Sequence, residues 1–353
     1  DRIFAWLRSN WPLFIPMIVF AVMLNLWKRF GRDPERLSVT PRYEPPEGLT
    51  VAEAGTLIDS RPDMRDVTAM IVDLAVRGYL KIHKGEGTKF LGFTVGGDDY
   101  SFELQRGRVA WNDLATHETQ LLNALFDGTV GEVVTTSDLK NSFYKDLPGI
   151  KKALWEALIR RGYYRSRPDH VQAIWMVAAA VIGIGGFALG MGLSQATGMS
   201  PVATSVAAIL SGLIVGAFGL LMPSRTRAGA RAQEEALGFE EFLGRVESDR
   251  FDRMITSPEM FERFLPFAMA FGVEDRWAEA FADIYQDRQP TWYSGPSGMR
   301  FHASSLTHDL SGMASSTASA MQSAPRSSGG SGFSGGGGGF SGGGFGGGGG
   351  GAF

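Results

Sequence analysis

The residues able to do chemistry are few and badly spaced for it. Five histidines, His83, His117, His170, His302 and His308, stand far apart, and the chain has no cysteine. A structural zinc site therefore lacks ligands, and disulfide or thiolate chemistry is excluded. His117-Glu118 opens like a metalloprotease helix, but Leu121 stands where the second His would complete a metal-binding face. Gly85-Glu86-Gly87-Thr88-Lys89 reads as a turn, with no Gly-Lys-Ser/Thr ending to cradle a phosphate. The Gly runs near the C-terminus follow no strand and open no helix, so their N–H groups cannot converge on an anion. No catalytic residue, cofactor or metal site is expected, and the chain reads as non-enzymatic.

The elements that would position such residues are segregated. The 353-residue chain has a net charge of only -3 and is 44% apolar, but charge almost vanishes between Val171 and Ser224. Three apolar runs, residues 11–27, 171–193 and 201–222, approach or reach the roughly 20 residues needed to cross a bilayer. Trp11 and Trp27 bracket the first as interfacial aromatics do. Lys28 and Arg29 follow it, the reverse of a signal peptide's charge order, so it reads as a stop-transfer helix. No Asp, Glu, Lys, Arg or His lies inside any of the three runs, which argues against a transporter, pump or intramembrane protease.

Basic residues near the ends of these runs set an orientation. Lys28, Arg29, Arg32 and Arg36 follow the first; Arg160, Arg161, Arg165 and Arg167 precede the second; Arg225, Arg227 and Arg231 follow the third. The connector 194–200 is uncharged, and only Arg2 and Arg8 precede the first run. Three crossings put every basic flank on one side, with the N-terminus outside and the C-terminus inside. Trp11, Trp27, Lys28, Arg29, Arg160, Arg161, Arg225 and Arg227 are the expected interface anchors. Gly186 with Gly190, and Gly212 with Gly216, have the spacing of a close-packed hairpin or dimer seam, which leaves room for a homo-oligomer.

The remaining chain divides into an outer flank (1–10), a Pro-rich linker (28–48), two helical units (49–110 and 111–168), a helical segment (224–290) and a Ser/Gly-rich tail (291–353) expected to be disordered. In the first unit, Thr50 and Glu53 have capping-box spacing. A helix over 63–77 should end at a left-handed Gly78, and Tyr79–Ile82 and Tyr100–Leu104 should pair as a hairpin. Helix, helix, hairpin is the plan of a winged helix. The second unit is expected to repeat it with helices at 118–126, 136–143 and 149–161, because Arg-Gly-Tyr ends both Leu74–Tyr79 and Leu158–Tyr163. The fold class expected is therefore mainly α: three transmembrane helices, two winged-helix-like cytoplasmic units and a disordered Gly-rich tail. In that tail Phe333, Phe340, Phe345 and Phe353 are isolated stickers among glycines.

Several ordered motifs carry a resemblance: Tyr43-Glu44-Pro45-Pro46-Glu47-Gly48-Leu49, Asp73 to Leu80, Gly238-Phe239-Glu240-Glu241-Phe242-Leu243, Phe264 to Val273 with Trp277 following, and the Gly-Ser-Phe tail. With them the chain resembles the YciQ-like predicted bacterial membrane proteins, domain of unknown function 2207. The resemblance implies a place in the bacterial inner membrane and an outer β-rich domain upstream of Asp1, itself not an initiator Met. It implies no catalytic residue.

Two functions fit. A membrane-anchored interaction or scaffold protein would bind a protein partner on the cytoplasmic side, with the bilayer as its other partner. A membrane-tethered DNA-binding regulator is the alternative. DNA binding calls for a basic excess to neutralise phosphates, yet 17 Lys and Arg stand against 18 Asp and Glu over residues 40–168. The candidate recognition helix at 63–77 carries Asp63, Asp66 and Asp73 against Arg65 and Arg77. Protein binding is the favoured reading and nucleic acid the disfavoured one.

Overall fold

The computed structural model describes residues 2–34, 39–85, 89–90, 93–94, 99–245, 258–281, 290–295 and 303–325. The Gly-rich tail and its four phenylalanines lie outside the described residues, as do Val246 and most of the turn at 85–88.

Three helices are long and apolar enough to cross a membrane: Arg8–Gly31, Pro168–Ser194 and Pro201–Leu221. The first contains the end of α1 (Arg2–Asn10), a 3-10 turn at Trp11–Phe14, α2 (Ile15–Leu26) and a wider π turn at Trp27–Gly31. It exceeds the expected 11–27 at both ends. Pro12 and Pro16 sit in first turns, where a missing N–H costs nothing, and so do not end it. The second joins α7 (Pro168–Ala180) and α8 (Gly186–Thr197) through a π turn at Val181–Gly185. The third is one helix, α9 (Pro201–Leu221), capped by the Ser200 hydroxyl. Its apolar window is 39% buried against 11% and 6% for the other two, so it is the hub on which they pack.

The rest forms one body at one end of this bundle. α3 (Val51–Asp59) and α4 (Met64–Val76) both open on reciprocal capping boxes, Thr50 with Glu53 and Asp63 with Asp66. Each box satisfies two N–H groups that the helix start would otherwise strand. β1 (Leu80–Lys84), the two-residue β2 (Lys89–Phe90) and β3 (Phe93–Thr94), and β4 (Tyr100–Leu104) follow. β1 and β4 are antiparallel with Ile82 opposite Phe102. Period-two alternation buries Leu80, Ile82, Tyr100, Phe102 and Leu104 on one face.

Next come α5 (Thr116–Leu125), β5 (Val133–Thr135) and α6 (Leu147–Arg160). Here the expected repeat is corrected. Residues 136–142 form turns and Phe143–Lys145 a 3-10 turn rather than a helix. Thr135 and Asp138 cap each other as a helix start would, but Asn141 stands at φ 62°, a left-handed conformation that a helix cannot run through. The shared Arg-Gly-Tyr does fold identically twice. Tyr79 and Tyr163 N–H donate to Leu74 and Leu158 carbonyls at 2.9 and 3.0 Å, over Gly78 and Gly162 at φ 76° and 75°. After the second cap no hairpin follows. Tyr164 bridges to Arg225 instead, and β5 joins the first unit's sheet beside β4.

α10 (Arg227–Gly244), α11 (Pro258–Phe271) and α12 (Glu274–Ala280) then pack on α3 and α4. Their core is aromatic: Phe239 meets Phe264 edge-on at 5.1 Å, and Trp277 meets Phe281 at 4.6 Å. A second correction falls on the segment expected to be disordered from residue 291. β6 (Tyr293–Ser294) lies parallel to β1, and α13 (Ala303–Gln322) packs on α4 and α12. Trp292, Tyr293, Leu306, Leu310 and Met313 are buried there. The sheet order is β5-β4-β1-β6.

Candidate functional site

Residues 41–49 cross the body as an extended strap. Pro41, Pro45 and Pro46 have no N–H to offer a sheet, so the strap is held by side chains and by its Arg42. The Arg42 N–H donates to the Gly238 carbonyl at 3.0 Å, and its guanidinium meets Glu235 at 3.0 Å. A Cβ at Gly238 would fall 2.3 Å from the Thr40 carbonyl oxygen, so only glycine lets the strap lie this close to α10. Tyr43 stands edge-on to Phe242 at 5.2 Å.

Between the strap, α10 and α11 opens a polar cleft of about 880 Å³, lined in part by Arg42, Glu44, Glu47, Glu235 and Arg263. Arg42 and Glu235 satisfy each other. Glu44, Glu47 and Arg263 have no ionic partner among the described residues, and Arg263 instead lies over the Phe264 ring at 5.3 Å. The cleft therefore shows an occupant charges of both signs beside rigid proline faces.

Behind the strap the two helical units are pinned by buried charge. Glu53 pairs with Arg161 at 3.1 Å, and Arg77 bridges Glu118 at 2.7 Å and Asp73 at 2.9 Å. His117 is fully buried, its Nε2 2.9 Å from the Thr50 hydroxyl, and its Nδ1 meets no partner among the described residues. Burial first, then Arg160, Arg161 and Arg77, push its pKa down to about 4, so it is neutral. Burial also raises Asp73 to about 6 against the pull of Arg77. An enclosed neutral imidazole clamps α5 to α3.

The expected anchors divide. Trp11, Lys28, Arg29, Arg160 and Arg227 are exposed, and Trp27 is half-buried. Arg161 is exposed too, but its guanidinium is held by Glu53 and the Gly48 carbonyl. Arg225 is internal: its side chain is 9% exposed and pairs with Asp33 at 3.1 Å, with Tyr164 and Ser60 as further acceptors. Sequence reasoning missed Asp33, Ser60 and Tyr164, which bear no motif and meet only through the fold.

The four glycines expected to pack helices all lie between the second and third spans. A Cβ at Gly212 would fall 2.8 Å from the Gly183 Cα, one at Gly186 3.2 Å from Ala208 Cβ, one at Gly190 3.0 Å from Thr204 Cβ and one at Gly216 3.5 Å from Ala179 Cβ. The seam is intrachain, with Gly183 as its unforeseen member.

The ends of the bundle are also matched. Ser200 N–H donates to the Ser9 carbonyl at one end. At the other, Ser224 donates to the Phe30 carbonyl and Thr226 to Gly162 and Tyr163. The basic flanks of all three spans thus share one end, beside the body. On the body itself, α4 is enclosed: nine of its residues, Asp66 to Val72 with Leu74 and Ala75, are buried beneath α3, α11 and α13.

The model of the predicted membrane protein DUF2207, C-terminal domain, matches residues 40–281, more than half the chain. The chain belongs to the DUF2207 family. No curated protein and no solved structure matches it. The DUF2207 match begins at the strap and takes in the cleft, the pinned helices and the second and third spans. The first span, β6 and α13 lie outside it. The three apolar helices and the family together make this a membrane protein.

Proposed function

We propose that this DUF2207 chain is a non-enzymatic protein of the bacterial inner membrane that crosses it three times, N-terminus outside and C-terminus inside. Its body, with a winged-helix-like first unit, is an interaction module facing the cytoplasm. The observation that carries this reading is the strap cleft. It is open, polar and charged on both walls, and it is braced by prolines and a buried ion network rather than by mobile groups. Preorganised charges of both signs suit recognition of a polar peptide segment, since little ordering cost remains on binding. The disfavoured DNA reading is left with α6, where Lys152 and Arg160 are exposed, while the charge balance over residues 40–168 is slightly acidic.

The test places a photo-crosslinking residue at Glu44 in the full-length chain in bacterial membranes. It should capture a defined protein, and the added substitution Arg263→Glu should abolish the capture. The same residue at exposed Val109, outside the cleft, should not capture that protein. Equal capture at both positions, or indifference to Arg263→Glu, would sink the proposal.

A further inference from the structure

We propose that the basic end of the bundle carries a binding site for one anionic phospholipid, between the exit of the first span and the entry of the second. A cavity of about 240 Å³ opens there. It is lined by Leu26 and Phe30 of the first span, Val171 and Trp175 of the second, Met222, Pro223 and Ser224 after the third, and Arg165 and Ser166 just before the second. At 1.5 Å per residue, Trp175 lies roughly 10 Å below the start of α7. The slot therefore runs down alongside the first carbons of an acyl chain.

The pairing of the surrounding cations shows what the slot lacks. Arg161, Arg167 and Arg225 each pair with a carboxylate of the chain, Glu53, Asp169 and Asp33. Arg165, Lys28 and Arg29 are exposed and meet no carboxylate among the described residues. Ser166 is exposed beside Arg165, and its hydroxyl makes no hydrogen bond among the described residues. An apolar slot within the bilayer whose mouth holds uncompensated positive charge matches an amphiphile with an anionic head. A phosphate accepts from the Arg165 guanidinium and the Ser166 hydroxyl, while a chain lies between Phe30 and Trp175. A free phosphate would leave the slot empty, and a zwitterionic lipid would bring its own cation to the mouth. Basic pockets between transmembrane helices are a known means of holding such headgroups.

The experiment uses the full-length chain, delipidated in neutral detergent and titrated with phosphatidylglycerol, phosphatidylcholine or glycerol 3-phosphate, with bound lipid counted by native mass spectrometry. One phosphatidylglycerol should be retained per chain. Arg165→Gln should weaken it about tenfold, the effect of losing one charge-assisted contact. Arg227→Gln, an exposed flank residue outside the cavity, should change it little. Phosphatidylcholine and glycerol 3-phosphate should be retained far less. Equal losses in the two variants would mean diffuse attraction and overturn the proposal. So would equal retention of phosphatidylcholine or of glycerol 3-phosphate.

Discussion

Arg225 and Asp33 are joined twice: the Arg225 backbone N–H donates to one Asp33 carboxylate oxygen at 2.8 Å, and its guanidinium lies 3.1 Å from the other. The two residues are 192 positions apart, and each follows the end of a span. The bond therefore fixes the first span's exit to the third's, and Tyr164 adds α6 to the same knot.

Removing that knot should loosen the bundle from the body. Asp33→Ala should cost about 1.5–3 kcal/mol, the range for hydrogen bonds to charged groups. Arg227→Ala, exposed and two residues from Arg225, should stay within about 0.5 kcal/mol. Thermal unfolding of both variants in one detergent checks the contrast, and equal losses would deny Asp33 its role.

The glycine seam makes a graded prediction. Gly212→Ala sets a methyl against the backbone of Gly183, which cannot move aside, and should cost about 1–3 kcal/mol. Gly216→Ala meets only ordinary contact at 3.5 Å and should be tolerated. Resistance to unfolding by denaturing detergent ranks the two.

His117 predicts a pH dependence with a definite sign. Its folded pKa, about 4, lies below the ordinary 6.5, so the unfolded chain takes up the proton first as pH falls. The stability it contributes is present above about pH 6.5 and lost as pH drops through 4, to the extent of about 3 kcal/mol. Asp73 and Asp66, whose pKa values burial raises, act in the opposite direction. They are common to wild type and His117→Gln, so the difference between the two isolates the imidazole. Denaturant unfolding from about pH 7 to about pH 4.5 should give a steeper loss in the wild type; parallel curves would contradict it.

The proposed orientation is checked by reporters fused after Leu37, Gln195 and Arg231. They should read inside, outside and inside. An outside signal at Arg231 would remove the three-crossing arrangement.

What the sequence made legible was local. Apolar runs declared the spans, Thr50 with Glu53 declared a cap, and Gly78 declared a helix end, because each depends on neighbours within a turn or two. What it hid was set at long range. Tyr293 opposes Ile82 across a gap that no local pattern records. In α13, Leu306, Leu310 and Met313 keep helical spacing, but the intervening serines dilute it and mimic a disordered composition. Asn141, at φ 62°, broke the helix expected at 136–143 although Thr135 and Asp138 cap its start. At the candidate site, the strap's prolines were visible as extended backbone. The cleft beneath them was not, since its far walls, Glu235 and Arg263, arrive from another third of the chain.

The two-residue β6 has a consequence out of proportion to its length. Ile82 N–H donates to the Trp292 carbonyl at 2.9 Å, so β6 occupies the hydrogen-bonding row that β1 would otherwise turn to solvent. α13 adds Asp309, which accepts from both Lys84 and Tyr293. A fragment trimmed to residues 40–281, those the family's C-terminal-domain model matches, would bare that row and the apolar faces under α13. Such an unguarded edge is a template for chain-to-chain pairing. A fragment that keeps this edge covered extends through Gln322, and excision at the matched boundary should yield aggregate, read as loss of the monomer peak in size-exclusion chromatography.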